Sequence, residues 1–300
     1  MGMLLGSCGS SIQAKSQSES VDNPTNNQTF WDDYDFNNVA LIHQPDITEQ
    51  KFANFCVALS SMKEPERNRQ VDSLLTRSLR GSRDMFANFM TLAEKYLYDP
   101  NSPYRDGELY LPFLEWTIHS SQIEEVRKER PRYQLKLVLE NRVGTQAHDF
   151  HYITNGNGSD ASSKGSTKSK ASTRGTLYNI KSEYTLIYFN NPECHDCGRV
   201  HGYLVASKVF TILLKSGRLK LLALYPDEDL GAWTRHKDEY PSSWIAARYA
   251  KKADRDSYHL PAIPSLYLLD KNKKVLLKDA TVEVVEEYLR KSAQSAGEKE

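Results

Sequence analysis

The chain has 300 residues, enough for about two domains of ordinary size, and its 39 Lys plus Arg against 39 Asp plus Glu leave a formal net charge of zero. That balance excludes the basic excess that nucleic-acid binding leaves in composition. The apolar share is 39%, no run approaches the ~18 residues of a membrane-spanning helix, and four cysteines are too few for a disulfide scaffold.

The chain opens on "LLGSCGS". Leu5-Gly6-Ser7-Cys8 resembles the lipobox of bacterial lipoproteins, a family in which the signal peptide is cut before the Cys and the Cys is lipidated. Only MGMLL and two small residues precede Cys8, whereas a signal peptide has a charged start and about 7–15 apolar residues. Either the true start lies upstream of Met1 or the match is accidental. The polar stretch "GSSIQAKSQSESVDNPTNNQT" favours the first. It buries too little surface to fold and suits a tether between an anchor and a domain, so residues 1–30 are expected to be disordered.

From residue 31 the pattern is helical. Phe52, Phe55, Cys56 and Leu59 recur at i, i+3, i+4, i+7, one face of a helix, and Cys56 reads as a buried core thiol. "KEPERNRQVDSLLTRSL" starts a second helix with Pro65 in its first turn and Val71, Leu74, Leu75 and Leu79 as its stripe. Met85, Phe86, Phe89, Met90, Ala93 and Leu97 make a third. After a break at Pro100 and Pro103, "ELYLPFLEWTI" and "RPRYQLKLVLE" predict two more. Residues 31–140 therefore read as an all-helical domain. Its His43 and His119 read as packing or surface residues.

Residues 141–292 alternate strands with helices. "DFHYI" is a short strand, and the Gly, Ser, Thr and Lys-rich stretch near 155–175 is a disordered insertion. "YTLIYFN" is a strand apolar enough for the middle of a sheet. A helix follows, then the strand "LKLLALYP". The aromatic-rich "DEDLGAWTRHKDEYPSSWIAARYA" is expected to be helical in part. "PSLYLLD" and "VLLKD", joined by "KNKK", form a hairpin, and "TVEVVEEYLRK" closes as an amphipathic helix capped by Thr281. Residues 293–300 are expected to be a disordered tail. The class is α/β.

Cys194 and Cys197 stand between the central strand and its helix. At a helix N-terminus, unpaired N–H groups and the helix dipole favour a thiolate, which is the nucleophile in disulfide exchange. Cys197, three residues on, lies on the same side of the first turn. These roles follow: Cys194 exposed and attacking, Cys197 more buried and resolving. Far away, Ile263-Pro264-Ser265 precedes an apolar strand. An X-Pro bond accommodates a cis peptide, and proline at a strand's first residue gives up no needed hydrogen bond.

The C-x-x-C after an apolar strand, with "IPS" before another, is similar to thioredoxin-fold proteins of the TlpA/ResA-like group from about Val143 to Lys291. "NRVGTQAHDF" resembles the lead-in segment of that group, and the helical part with "YLYDPNSPYRDGELYLPFLE" resembles an N-terminal domain of unknown function found in Gram-negative envelope lipoproteins. The resemblance implies a helical domain followed by a central mixed sheet flanked by helices. It implies that Cys194 is the nucleophile, Cys197 the resolving thiol and Pro264 the cis-proline, with the Ile263 backbone offered to a substrate strand. It further implies thiol–disulfide exchange on protein cysteines outside the cytoplasm, recycling by a membrane redox partner, and no dissociable cofactor.

Three departures stand out. Glu193 replaces the Trp before the first Cys, Tyr188 stands where the family buries an acid, and His195-Asp196 separates the cysteines. His195 favours a thiolate on Cys194, whereas Asp196 or Glu193 opposes it. Zinc would require two further ligands, and no second C-x-x-C or H-x-x-x-H accompanies His195 and His201. Attachment of c-type haem requires His where Gly198 stands. The serious rival is a non-catalytic binding lipoprotein with two inert thiols.

Overall fold

The computed structural model describes residues 29–154 and 173–297, with side chains through residue 294. Cys8, the tether through residue 28 and insertion residues 155–172 lie outside the described residues. The last two residues assigned to the tether belong to the fold. The Phe30 N–H donates to Gln70 Oε1 at 2.9 Å, and its ring sits 5.2 Å from that of Phe55.

The helical domain comprises α1 (Thr48–Ser61), α2 (Glu64–Gly81), α3 (Arg83–Ala93), α4 (Gly107–His119) and α5 (Glu125–Leu139). Their apolar stripes meet around Trp31, which is fully buried and edge-on to Phe89 at 5.0 Å and to Tyr34 and Phe55 at 5.4 Å. Such edge-to-face pairs add about 0.5–1.5 kcal/mol each beyond burial. Phe52, Phe55, Cys56, Leu59, Val71, Leu74, Leu75, Met85, Phe86 and Phe89 are all in this core. Leu79 and Met90 pack at its margin. Asp106 caps α4 by accepting from the N–H groups of Glu108 and Leu109. Helix α5 begins five residues ahead of the expected Arg130, because Glu125 pairs one turn on with Lys128 and further with Arg132. Pro131 is thus inside the helix. A π-helical turn, Glu94–Tyr98, ends the third helical run.

The second domain is a seven-stranded mixed sheet of order β2-β1-β5-β4-β3-β6-β7. Its strands are β1 (His151–Thr154), β2 (Arg174–Thr176), β3 (Tyr184–Phe189), β4 (Leu219–Tyr225), β5 (Ile245–Tyr249), β6 (Ser265–Leu269) and β7 (Val275–Leu277). Strands β3, β4 and β5 run parallel, and β6 runs antiparallel to β3. Alternate side chains of these strands enter two cores. Leu186, Tyr188, Leu221, Ala223 and Leu266 face α6 (His195–Ala206), α7 (Lys208–Lys215) and α10 (Val282–Gly297). Ile187, Phe189, Leu222, Leu224 and Tyr267 face Phe150, Leu177 and Tyr258 on the other side. Two short helices, α8 (Leu230–His236) and α9 (Lys252–Arg255), flank β5.

In the second domain three further elements differ from those expected. Strand β2 takes Arg174 and Gly175 out of the supposed insertion, since β1 needs a partner on its outer edge and Tyr152 pairs opposite Gly175. Helix α10 continues to Gly297, beyond the limit of 292, because nothing in "SAQSAG" breaks a helix before its glycine. "IAARY", read as part of a partly helical stretch, is strand β5, inserted between β4 and β1. Thr281 Oγ1 accepts from the Val284 N–H at 3.4 Å and so caps α10.

Candidate active site

Strand β3 delivers the chain through Asn190 to Glu193 into a short loop, and α6 starts immediately after Cys194. Cys194 is the N-cap. Its Sγ accepts the Cys197 N–H at 3.4 Å, so the sulfur occupies the place where a serine oxygen would cap a helix. Cys194 is half-buried, Cys197 is 1% exposed, and both are free thiols. Burial pushes the Cys197 thiol well up, and the neighbouring Cys194 adds to the effect. The inequality expected between the two thiols is therefore present in their surroundings.

Across from the pair, the Ile263–Pro264 peptide bond is cis, and the Ile263 carbonyl oxygen lies 3.9 Å from Cys194 Sγ. Ile263 and Pro264 are half-buried beside the first thiol. The structure thus brings together Cys194, Cys197, Ile263 and Pro264, which are separated by up to seventy positions in the chain.

The flanking charges are arranged in a way the sequence did not reveal. Glu193 is clamped by Arg235, with Nη2 at 2.6 Å and Nε at 3.0 Å, and His236 Nε2 stands 3.5 Å away. The Arg235 hydrogen bond, first of several causes, lowers the Glu193 pKa. Its negative charge is thereby balanced, and its opposition to a thiolate is weakened. His195 is 97% exposed, with Nδ1 3.6 Å from the Asp196 carboxylate. Those two tuning candidates face one another in water, where screening keeps their influence small.

Beneath the pair lies Tyr188, 1% exposed, whose hydroxyl donates to the Cys197 carbonyl at 2.5 Å. Burial holds this phenol neutral by raising its pKa. Tyr240 donates to Asn190 Oδ1 at 2.6 Å, and Asn190 Nδ2 donates to the Tyr188 carbonyl at 2.9 Å. A cavity of about 260 Å³ opens between Tyr188, Asn190, Cys197, His201, Glu239 and Tyr240. His201 packs against Trp244 at 4.8 Å, and burial lowers its pKa. Sequence reasoning missed Arg235, Asn190, Tyr240 and the cavity position of His201. The i, i+4 spacing of His201 from Cys197 is the signal that could have put it on the same helical face. Among the described residues, no three His, Cys, Asp or Glu side chains converge as a metal site requires.

Fold and site together define a thioredoxin-like protein with a C-x-x-C at the head of the helix after its central strand. A solved structure described as a thioredoxin-like protein from Bacteroides caccae ATCC 43185 is 38% identical, with a TM-score of 0.76, over 87% of this chain and 89% of that one. The chain belongs to this thioredoxin-like family. A family model described as a domain of unknown function, DUF5106, matches residues 27–141, the helical part. The C-terminal domain of an uncharacterized protein from Bacteroides fragilis NCTC 9343 is 40% identical over 50% of this chain and 99% of its own, with a TM-score of 0.43. A conserved protein of unknown function from Bacteroides fragilis is 30% identical over 49% and 98%, with a TM-score of 0.41. No curated protein matches the chain.

Proposed function

We propose that the protein is a thiol–disulfide oxidoreductase of the cell envelope acting on protein cysteines through Cys194 and Cys197. The observation that carries this reading is the position of Cys194. Its sulfur caps a helix, receives an N–H from Cys197 and faces the Ile263 carbonyl of the cis-proline segment. A helix N-terminus favours the thiolate that attacks.

In the reducing direction the Cys194 thiolate attacks one sulfur of a substrate disulfide. A Cys194–substrate disulfide forms, and the other substrate sulfur leaves as a thiolate. Cys197 then gives up its proton and attacks Cys194 Sγ. The Cys194–Cys197 disulfide forms, the substrate's first sulfur leaves, and two electrons have passed from the dithiol to the substrate. The oxidising direction is the reverse. Pro264 and the Ile263 backbone align the substrate strand, while Glu193, balanced by Arg235, and the exposed His195 and Asp196 act on the first thiol only weakly. A membrane redox partner recycles the pair, and the dithiol itself is the redox centre without a dissociable cofactor. Cys8 supplies a lipid anchor. A Cys8→Ser chain, expressed from a start upstream of Met1, that still partitions with membranes refutes the anchor.

The test of the activity is the rate of Cys194 alkylation near neutral pH, followed by equilibration of the pair with glutathione. Fast alkylation at Cys194 alone and a reversible two-electron equilibrium are expected. Two unreactive native thiols point instead to a non-catalytic binding protein.

A further inference from the structure

The segment that carries Ile263 and Pro264 is gripped at both ends by one loop of the helical domain. At the first end, Tyr98 lies parallel to His259 with an interplanar angle of 10°, and its hydroxyl is 3.3 Å from His259 Nε2. At the second, Arg105 Nη2 donates to Asp279 Oδ2 at 2.8 Å, and Asp279 Oδ1 accepts from Ser265 Oγ at 2.5 Å. Ser265 follows Pro264 directly and is buried. Asp279 adopts a left-handed φ of 52°, a conformation in which Asp is enriched among non-glycine residues. Its two carboxylate oxygens link Ser265 in the sheet domain to Arg105 in the helical domain.

The gripping loop is itself closed. The Asp106 N–H donates to the Leu97 carbonyl at 3.0 Å, and Ser102 Oγ donates to the Tyr96 carbonyl at 2.5 Å. Tyr98 and Arg105 thus sit at the two feet of one stiff hairpin-like loop between the π-helical turn and α4. Neither Arg105 nor Asp279 is free in solvent, with side chains 19% and 13% exposed. A pair so sheltered is less screened than a surface ion pair, and removing one partner leaves the other poorly hydrated. Between these two grips, residues 260–264 have no helix or strand of their own to hold them.

We propose that the helical domain is a brace for the substrate-binding loop, with Tyr98 and Arg105 as positioning residues that hold the Ile263 backbone in line with Cys194. The inference rests on the thiol–disulfide exchange proposed above and gives the helical domain its part in it. An extended protein segment must pair with the Ile263 backbone while its disulfide reaches Cys194, and misplacement by about 1 Å costs up to 10²-fold. A small reagent that touches only Cys194 needs no such alignment. The brace therefore acts mainly on protein substrates, and the thiol, which meets the Ile263 carbonyl only at 3.9 Å, feels it less.

The experiment compares the full chain with Arg105→Ala, Arg105→Lys, Tyr98→Phe and the double variant Arg105→Ala/Asp279→Asn. Three readouts are taken: KM and kcat for insulin disulfide reduction, the rate of Cys194 alkylation by iodoacetamide, and amide hydrogen exchange over residues 259–266. Arg105→Ala is expected to raise KM about tenfold, the equivalent of one charge-assisted hydrogen bond, with alkylation changed less than about twofold and faster exchange confined to 259–266. Arg105→Lys restores most of the loss. The double variant is no worse than Arg105→Ala, because the grip acts through Asp279. Unchanged exchange over 259–266 in Arg105→Ala overturns the brace, as does a fall in alkylation that matches the fall in insulin reduction. If the unaltered protein reduces no insulin disulfide, the exchange reading fails by itself, and hydrogen exchange still decides the brace.

Discussion

If Cys194 and Cys197 exchange disulfides as proposed, replacing Cys197 by Ser should turn the site into a trap. In the dithiol, the attack that releases a substrate is intramolecular, because Cys197 is the residue whose N–H already touches Cys194 Sγ at 3.4 Å. Well-oriented intramolecular groups reach effective molarities of about 10⁵–10⁸ M. Taking only ~1 M for Cys197, and about 1 mM external thiol as competitor, the mixed disulfide on Cys194 should live about 10³ times longer in Cys197→Ser. Cys56 cannot substitute. It is buried in the helical core, and burial pushes its thiol up to about 12. The assay is non-reducing electrophoresis of envelope proteins after rapid acid quench, with mass spectrometry to locate the adduct. Cys194→Ser should trap little, since Cys197 is buried and its thiol holds its proton. Capture should also weaken as pH falls, because only the thiolate attacks. Equal trapping by both variants would show that burial does not separate the two roles. No adduct on Cys197→Ser would refute the mechanism itself.

Tyr188→Phe removes the donor to the Cys197 carbonyl and should cost about 1 kcal/mol in urea unfolding, since the adjacent cavity lets water reach the abandoned oxygen; unchanged stability would mean the bond contributes nothing. Gly81→Ala should cost about 3 kcal/mol, because its Cβ would stand 2.1 Å from the Phe36 carbonyl oxygen and meet backbone rather than a movable side chain; a loss near zero would show that the end of α2 gives way. His201 and His259 are both shifted below the ordinary 6.5 by burial, which favours their neutral forms in the fold. Below 6.5 the unfolded chain binds protons that the native protein refuses, so stability falls as pH drops from that value towards the lower native ones. His201→Phe should flatten part of that slope in urea midpoints measured from pH 7.5 to 5, and an unaltered slope would place the acid loss elsewhere.

The α1 to α3 stripes, the apolar run of β3 and the pairing of Cys194 with Cys197 were all legible because each is a local pattern with a physical period or a fixed spacing. Strand β5 was not. "IAARY" is five residues with an arginine, and its strand character comes from β4 on one side and β1 on the other, not from its own periodicity. The same holds for the charges at the site. Glu193 looked like an uncompensated acid beside a thiol, but Arg235, forty-two positions on, cancels it. Tyr188 was noticed only as the replacement for an acid, and its hydrogen bond to the Cys197 carbonyl depends on how α6 lies over the sheet. The grip of Tyr98 on His259, across 161 positions, leaves no local signal at all.

The self-sufficiency of the helical core bears on how the protein is made. Every buried member of that core lies between Trp31 and Val138, so it can close without any side chain of the sheet. Domains fold as units, the N-terminal one first during synthesis. Cys56 is thus sealed inside finished structure by the time Cys194 and Cys197 emerge. If the proposed exchange takes place in an oxidising compartment, this order of events removes one wrong partner from the cysteine pair during biogenesis.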